Sequence, residues 1–467
     1  MTKKSNEFTI TEAAQKLHSK EISVRELWDA CISEAKKRNK ELNAFLEIFS
    51  ADDAAIDAAQ KHIDMGDAPL LCGIPLAIKD NILIEGRVAS AASKMLENYR
   101  ATYDATVIKK LKEAGALFIG RTNMDEFALG SSTENSAFGA TKNPHDPSRV
   151  AGGTSGGSAA AVAANMCIAA LGSDTGGSVR NPAAYCGVVG LKPTYGAVSR
   201  SGLIAAASSL DQIGVLAKTV ADARILYEAI RGKDPLDSTS TEYVDVQKGP
   251  PKRIGVLRKL VQNLEKDMEE RFDEALARSG AEIVDIDIPL SDIAIAAYYV
   301  INFAEVSTNL ARFDGMRYGL AKRGENLLDD YVQSRTEGFG RETLRRILLG
   351  TFVLSVGYID AYYRKADAAR AALRAAYEQA LKSVDVVATP TMPTPAFKIG
   401  EKSDPLSMYL EDIFTVTANL TGMPALSVPM GVVEREGKQL PVGIHFTALH
   451  QSENILFSLG EEVQRTS

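Results

Sequence analysis

The stretch from Gly152 to Arg180, "GGTSGGSAAAVAANMCIAALGSDTGGSVR", holds seven glycines, four serines, two threonines, one Asp and one Arg. Its two Gly-Gly clusters, each flanked by hydroxyls, lie about one helix plus one strand apart, with no histidine near either. In "SDTGGS", Ser178 follows small residues whose successive backbone N–H groups can point at one spot. Such a nest binds an oxyanion. A serine there is a nucleophile beside its own oxyanion hole, and it needs a base. No Ser-His-Asp set is apparent. A buried lysine can serve instead, because desolvation lowers a lysine pKa by up to about 3–5 units. Lys79 is the candidate: it ends the apolar run Ile74-Pro75-Leu76-Ala77-Ile78, and Asp80-Asn81 follow.

The same residues admit plainer readings. Gly172 and Gly177 have the spacing that opens a Walker A loop, but Ser178 stands where that loop needs lysine. Glycines that merely permit tight turns explain one Gly-Gly, not two beside hydroxyls. A lysine at a strand end is ordinarily a surface charge. Metal binding has little support, since the five histidines are scattered without HExxH. His18 and His62 fit solvated helix faces, and His145 and His445 fit a loop and a hairpin. Asp174 and Arg180, flanking the nucleophile, read as an ion pair bracing the loop rather than as catalytic groups.

The elements that must position these groups are legible in outline. Residues 9–66 read as helical: Ser23 and Glu26 have capping-box spacing before an apolar face of Leu27, Cys31 and Ile32. "GIPLAIKDN" and "GALFIGRTN" read as buried strands, with the helix "DATVIKKLKEAG" between them ending at Gly115. Strands alternating with helices predict an α/β sheet. Residues 232–252 read as a polar surface linker, and "RIGVL", a helix near Leu264–Ser279 and "AEIVDIDIP" as a βαβ-like unit. Residues 294–383 read as mainly helical. "ALSVPMGVVEREGKQLPVGIHFTAL" reads as a hairpin turning near Glu436-Gly437, and a helix closes the chain.

Composition bounds the rest. The 467 residues are 45% hydrophobic and 24% charged, with net charge −7, which suits a globular enzyme and makes a poor sole binder of nucleic acid. The start lacks the apolar core of a signal peptide, and the run Ala159–Leu171 is too short to span a bilayer. Four cysteines without CxxC spacing read as reduced, mostly buried thiols, so the cytoplasm is the expected compartment.

The chain resembles the amidase signature family. "GGTSGGSAAAVAAN" and "GSDTGGSVRNPAAYCGVVGLKPTYG" are similar to its defining segment, and "GIPLAIKDN" to its lysine segment. "TNMDEFALGSSTENS", "SRSGLIAAASSLDQIG", "RFDGMRYG", "RTEGFG" and "RRILLGTF" resemble the branch that serves tRNA-dependent amidotransferases. The resemblance implies a single α/β domain of the amidase signature fold, a large mixed twisted sheet with helices on both faces. Within it lie N-terminal helices (1–66), the catalytic core (67–231), the linker (232–252), the βαβ-like and helical substrate-pocket region (253–383) and a C-terminal return to the sheet (384–467). It implies a Lys–Ser–Ser triad in which Lys79 is the base, Ser178 the nucleophile and Thr154 the bridging residue, cis-linked in the family. The oxyanion hole then falls on the backbone of Thr175, Gly176, Gly177 and Ser178, and glutamine is held by Tyr298, Arg346 and Asp412. Arg346 would pair with the α-carboxylate and Asp412 with the α-ammonium. Two positions depart from the family: Thr154 replaces the usual serine, and His445 stands where glutamine is common. The resemblance further implies a glutaminase with no cofactor of its own. ATP and Mg would act in a partner subunit, the partners would be B and C subunits, and tRNA would be met mainly through B. A free-standing amidase acting on other amides, or a catalytically weak scaffold, remain alternatives.

Overall fold

A computed structural model describes residues 3–465 apart from 245, 247 and 248. Eleven strands form one sheet: β1 (Phe45–Ile48), β2 (Pro75–Lys79), β3 (Leu117–Thr122), β4 (Ala169–Asp174), β5 (Val189–Lys192), β6 (Gln212–Ala217), β7 (Arg253–Val256), β8 (Glu282–Asp285), β9 (Val386–Pro390), β10 (Ala425–Arg435) and β11 (Lys438–Thr447). Their spatial order is β1-β3-β2-β4-β6-β5-β10-β11-β9-β7-β8. β2 runs parallel to β3 and β4, and β7 parallel to β8 and β9; the remaining pairings are antiparallel. The expected mixed sheet is therefore present. In β2, β4, β5, β6 and β9 every residue is buried. Because successive side chains point to opposite faces, such strands must be covered on both.

The hairpin β10–β11 turns at Glu436 and Gly437, both with positive φ. That is the two-residue geometry whose twist suits antiparallel strands. The predicted capping box forms, with Ser23 Oγ accepting from Glu26 N–H and the Glu26 carboxylate accepting from Ser23 N–H. The helix Lys266–Arg278 links the parallel strands β7 and β8. Four helices, Ala294–Leu310, Leu327–Gly338, Arg341–Val353 and Tyr363–Ala380, fill the region expected to be helical.

Two readings need correction. Residues 9–66 are not all helical: β1 interrupts them and pairs with β3 at the sheet edge. Four residues are too few to show a period, and Phe45 and Ile48 gain their strand role from a partner over 70 positions away. The linker 232–252, of which residues 245, 247 and 248 lie outside the described set, is also pinned in part. Asp234 accepts from Thr106 and Ser199 hydroxyls, and Asp237 takes a two-pronged ion pair from Arg200. The four cysteines are free and buried. No described helix is long and apolar enough to cross a membrane.

Candidate active site

Because β2 and β4 are parallel neighbours, their C-terminal ends reach the same edge of the sheet. Lys79 is the last residue of β2, and Asp174, which ends β4, opens the loop to Ser178. The first glycine cluster leads into the helix Gly156–Ala163, which runs back so that β4 can return. One helix plus one strand is thus the spacing that brings both clusters to one place. Crevices at the carboxyl ends of parallel strands are where α/β sheets ordinarily hold their ligands.

Lys79 is completely buried. Its Nζ lies 2.7 Å from Thr154 Oγ1, 2.8 Å from Ser155 Oγ, 2.9 Å from Ser173 Oγ and 3.2 Å from the Ser173 carbonyl. Burial lowers its pKa to about 7, against the opposing pull of Asp125, Asp174 and Asp211. A neutral amine is therefore available near neutral pH. The Gly153–Thr154 peptide is cis. Ser155 N–H donates to the Ser178 carbonyl at 3.0 Å, which ties the first cluster to the second. Ser178 Oγ itself makes no hydrogen bond with any described residue.

The Thr175–Ser178 loop departs from the expected nest at one donor. Gly177 N–H is aimed at Asp174 Oδ1, 2.9 Å away, so it is engaged within the loop and not turned toward an incoming oxygen. The N–H groups of Thr175, Gly176 and Ser178 meet no acceptor among the described residues. The sequence shows small residues in a row but not which way each amide faces. Gly177 has φ of +136°, and a side chain at Gly176 would strike the Tyr298 hydroxyl, with its Cβ only 2.3 Å from Oη.

Asp174 and Arg180 form the expected bracing pair, fully buried and two-pronged, at 2.9 and 3.0 Å. Burial works to raise the Asp174 pKa, but the Arg180 guanidinium, with help from Lys192 and Asn419, more than offsets it and holds the carboxyl far below its usual range. Arg180 also donates to the Thr415 carbonyl, to Asn419 Oδ1 and to His445 Nε2. That gives His445 a role that sequence reasoning did not assign. Burial, and then Arg180, keep its ring neutral, so Nε2 accepts from Arg180 while Nδ1 lies 3.4 Å from Thr389 Oγ1.

The residues expected to hold substrate converge beside this loop. Tyr298 and Arg346 come from the helices Ala294–Leu310 and Arg341–Val353, and Asp412 from the short turn Leu410–Asp412. Asp412 accepts from Tyr299 Oη at 2.7 Å and from Ser131 Oγ at 3.0 Å, and burial pushes its pKa up to about 7. Arg346 donates to Glu342 at 2.8 Å and Asn302 at 3.1 Å. Its guanidinium lies 5.4–5.9 Å from the rings of Tyr299, Phe303 and Tyr409. Burial alone would lower the Arg346 pKa; the Glu342 carboxylate together with Tyr299, Tyr409 and Tyr298 more than offsets this. Tyr299 therefore joins the two charges, with its ring on the cation and its hydroxyl on the carboxylate. A cavity of 220 Å³ opens against Arg346, Glu342, Tyr409, Arg345 and Ser132. Sequence reasoning missed Ser131, Tyr299, Glu342, Ser173 and Asp125. Asp125, Ser131 and Ser173 fall in quoted motifs, but nothing there marks them out; Tyr299 and Glu342 lie outside every quoted motif.

The family model "Amidase" matches residues 26–457. The chain is 48% identical to the A subunit of the glutamyl-tRNA(Gln) amidotransferase from Desulfatibacillum aliphaticivorans, over 99% of this chain and 98% of that one. It is 50% identical to the protein of the same name from Chlorobium limicola, over 92% and 93%. The crystal structure of the corresponding Thermotoga maritima glutamyl-tRNA(Gln) amidotransferase protein superimposes with a TM-score of 0.81 at 40% identity, covering 100% of this chain and 96% of that one.

Proposed function

This chain belongs to the amidase family, and we propose that it is the glutaminase subunit of a tRNA-dependent amidotransferase. The observation that carries the reading is the fully buried Lys79, its pKa near 7, touching Thr154, whose neighbour Ser155 is hydrogen-bonded through its backbone to Ser178. Neutral Lys79 takes a proton from Thr154 as Thr154 takes one from Ser178. Ser178 Oγ attacks the side-chain amide carbon of glutamine. The oxyanion is stabilised by the N–H groups of Thr175, Gly176 and Ser178. The relay returns the proton to the departing nitrogen, the C–N bond breaks, and ammonia leaves a glutamyl ester on Ser178. Water, activated by the same relay, then releases glutamate and restores the serine.

Arg346 and Asp412 bracket the amino-acid end of the substrate, the first for the α-carboxylate and the second for the α-ammonium, with Tyr298 against the loop. Ammonia is then consumed in a partner B subunit, where ATP and Mg activate Glu-tRNA(Gln) and/or Asp-tRNA(Asn), and a C subunit completes the assembly. An exposed aromatic cluster supports the need for partners: Phe352 lies 4.4 Å from Tyr358 and 5.9 Å from Tyr362 between ring centres. Leu348, one turn before Phe352, and Val356 extend it, and so much open apolar surface marks an interaction face. The compartment we propose is the cytoplasm. The test is hydroxylamine trapping of the glutamyl ester in the assembled enzyme. Wild type should yield the hydroxamate and Ser178→Ala should not; normal trapping by the alanine variant would remove Ser178 from the reaction.

A further inference from the structure

The helix Arg341–Val353 begins without a cap of its own. Its N-cap residue is Gly340, which has no side chain to offer. The first turn of a helix leaves backbone N–H groups unpaired, and a side-chain oxygen normally meets one of them. Here the oxygen comes from across the fold. Glu126 Oε2 accepts from Gly340 N–H at 2.8 Å and from Thr343 Oγ1, while Oε1 accepts from Ser93 Oγ. A Cβ at Gly340 would lie 2.7 Å from Glu126 Oε2, so the glycine makes room for the visiting carboxylate.

Glu126 is 2% exposed, and among the described residues no Lys or Arg pairs with it. A buried carboxylate without a cation is costly, and hydrogen bonds and the positive end of a helix dipole are what can hold it. Its neighbour Phe127 is wedged between Phe313 and Phe339, at 5.1 and 5.6 Å, so the anchor point is itself fixed. The helix that Glu126 seats carries Arg346. Thr343 and Arg346 are three residues apart and share a helix face.

We propose that Glu126 is a positioning residue for substrate selection. It seats the first turn of the Arg341–Val353 helix and thereby sets the guanidinium of Arg346, so recognition of the amino-acid end depends on a carboxylate that touches no substrate. The inference rests on the reading of Arg346 as the carboxylate anchor. It is tested by steady-state kinetics of the assembled amidotransferase on glutamine and on a simple amide lacking an amino-acid end. Glu126→Gln should raise KM for glutamine about 10-fold, the scale of losing a helix cap, while kcat and the simple-amide rate stay within about 3-fold. Thr343→Val, which removes one donor and keeps the shape, should raise KM by a smaller factor. In an Arg346→Ala background, Glu126→Gln should add nothing, because the effect passes through Arg346.

An unchanged glutamine KM in both single variants overturns the proposal. Equal losses on glutamine and the simple amide, or full additivity with Arg346→Ala, overturn it too, since both describe a merely structural group. If Glu126→Gln does not fold, Thr343→Val decides. Should Arg346→Ala itself leave the glutamine KM unchanged, the reading of Arg346 has failed and this inference falls with it; a shift for Arg346→Ala alone sinks the inference and spares the reading.

Discussion

The loop bearing Ser178 and the helix bearing Arg346 face the same cleft but are built differently. Every residue from Met166 to Cys186 is buried. The Arg341–Val353 helix is buried along one stripe, with Leu348 70% exposed on the other side. The difference follows from the task. Lowering a lysine pKa by desolvation needs a dry surround on all sides. Gripping a charged substrate needs only a few fixed groups at a mouth that water and substrate can enter. The chemistry is thus set by packing that closes on Lys79 from every side, bringing Thr154, Ser155 and Ser173 to it from distant parts of the chain, and the selection by a few groups fixed at an open mouth.

The sharpest way to break this contrast is at Lys79. Lys79→Arg should be nearly as damaging as Lys79→Ala, each lowering glutamine hydrolysis by about 10³-fold or more, because arginine does not give up its proton. Substantial activity in the arginine variant would make Lys79 a structural charge. Next in size is Thr154. Thr154→Val should lose about 10²-fold or more, the usual worth of positioned proton transfer, whereas Thr154→Ser should keep or raise the rate. Ser155 Oγ lies equally near Lys79, so Ser155→Ala belongs in the same assay; if it, and not Thr154→Val, is the dead variant, the relay runs through Ser155.

On the recognition side the losses should be smaller and confined to glutamine. Arg346→Ala removes a charge-assisted contact worth about 1.5–3 kcal/mol, or roughly 10- to 150-fold in affinity, and should leave a simple amide nearly untouched. Equal loss on both substrates would erase the division of labour. The gentlest test is pH. Lys79 is a base only above its pKa of about 7, and Asp412 is a carboxylate only above its own, also about 7. Both therefore gain function as pH rises. The acid limb of log kcat/KM should steepen toward a slope of about two for glutamine and stay near one for a simple amide, as one or two protons must leave. Identical slopes would show that Asp412 does not take part in binding.

The same contrast explains what could be read from the chain. Strands β2 and β3, the turn at Glu436-Gly437, the Ser23–Glu26 cap and the pairing of Asp174 with Arg180 all show in the sequence because each depends on near neighbours. Lys79 and Ser178 stand out because a lysine after an apolar run and a serine after Gly-Gly are locally unusual. Tyr298, Arg346 and Asp412 come from family resemblance; their partners Ser131 and Tyr299 escape notice because they meet Asp412 only through tertiary contact, whereas Glu342 is a local i,i+4 partner of Arg346 whose spacing alone does not tell it from an ordinary surface pair. β1 is lost for want of length. The direction of the Gly177 amide is lost because it depends on where the Asp174 carboxylate turns, which no spacing reveals.

The four partners of the Arg180 guanidinium bear on the order in which the molecule is made. Asp174 lies six residues away, but Thr415, Asn419 and His445 are supplied by the last eighth of the chain. During synthesis the nucleophile loop emerges long before those partners exist, and its buried cation lacks most of its acceptors until β10 and β11 close beside β5. A chain truncated before Thr415 keeps Lys79, Thr154 and Ser178 but lacks three of the four partners of Arg180, and it should hydrolyse no amide.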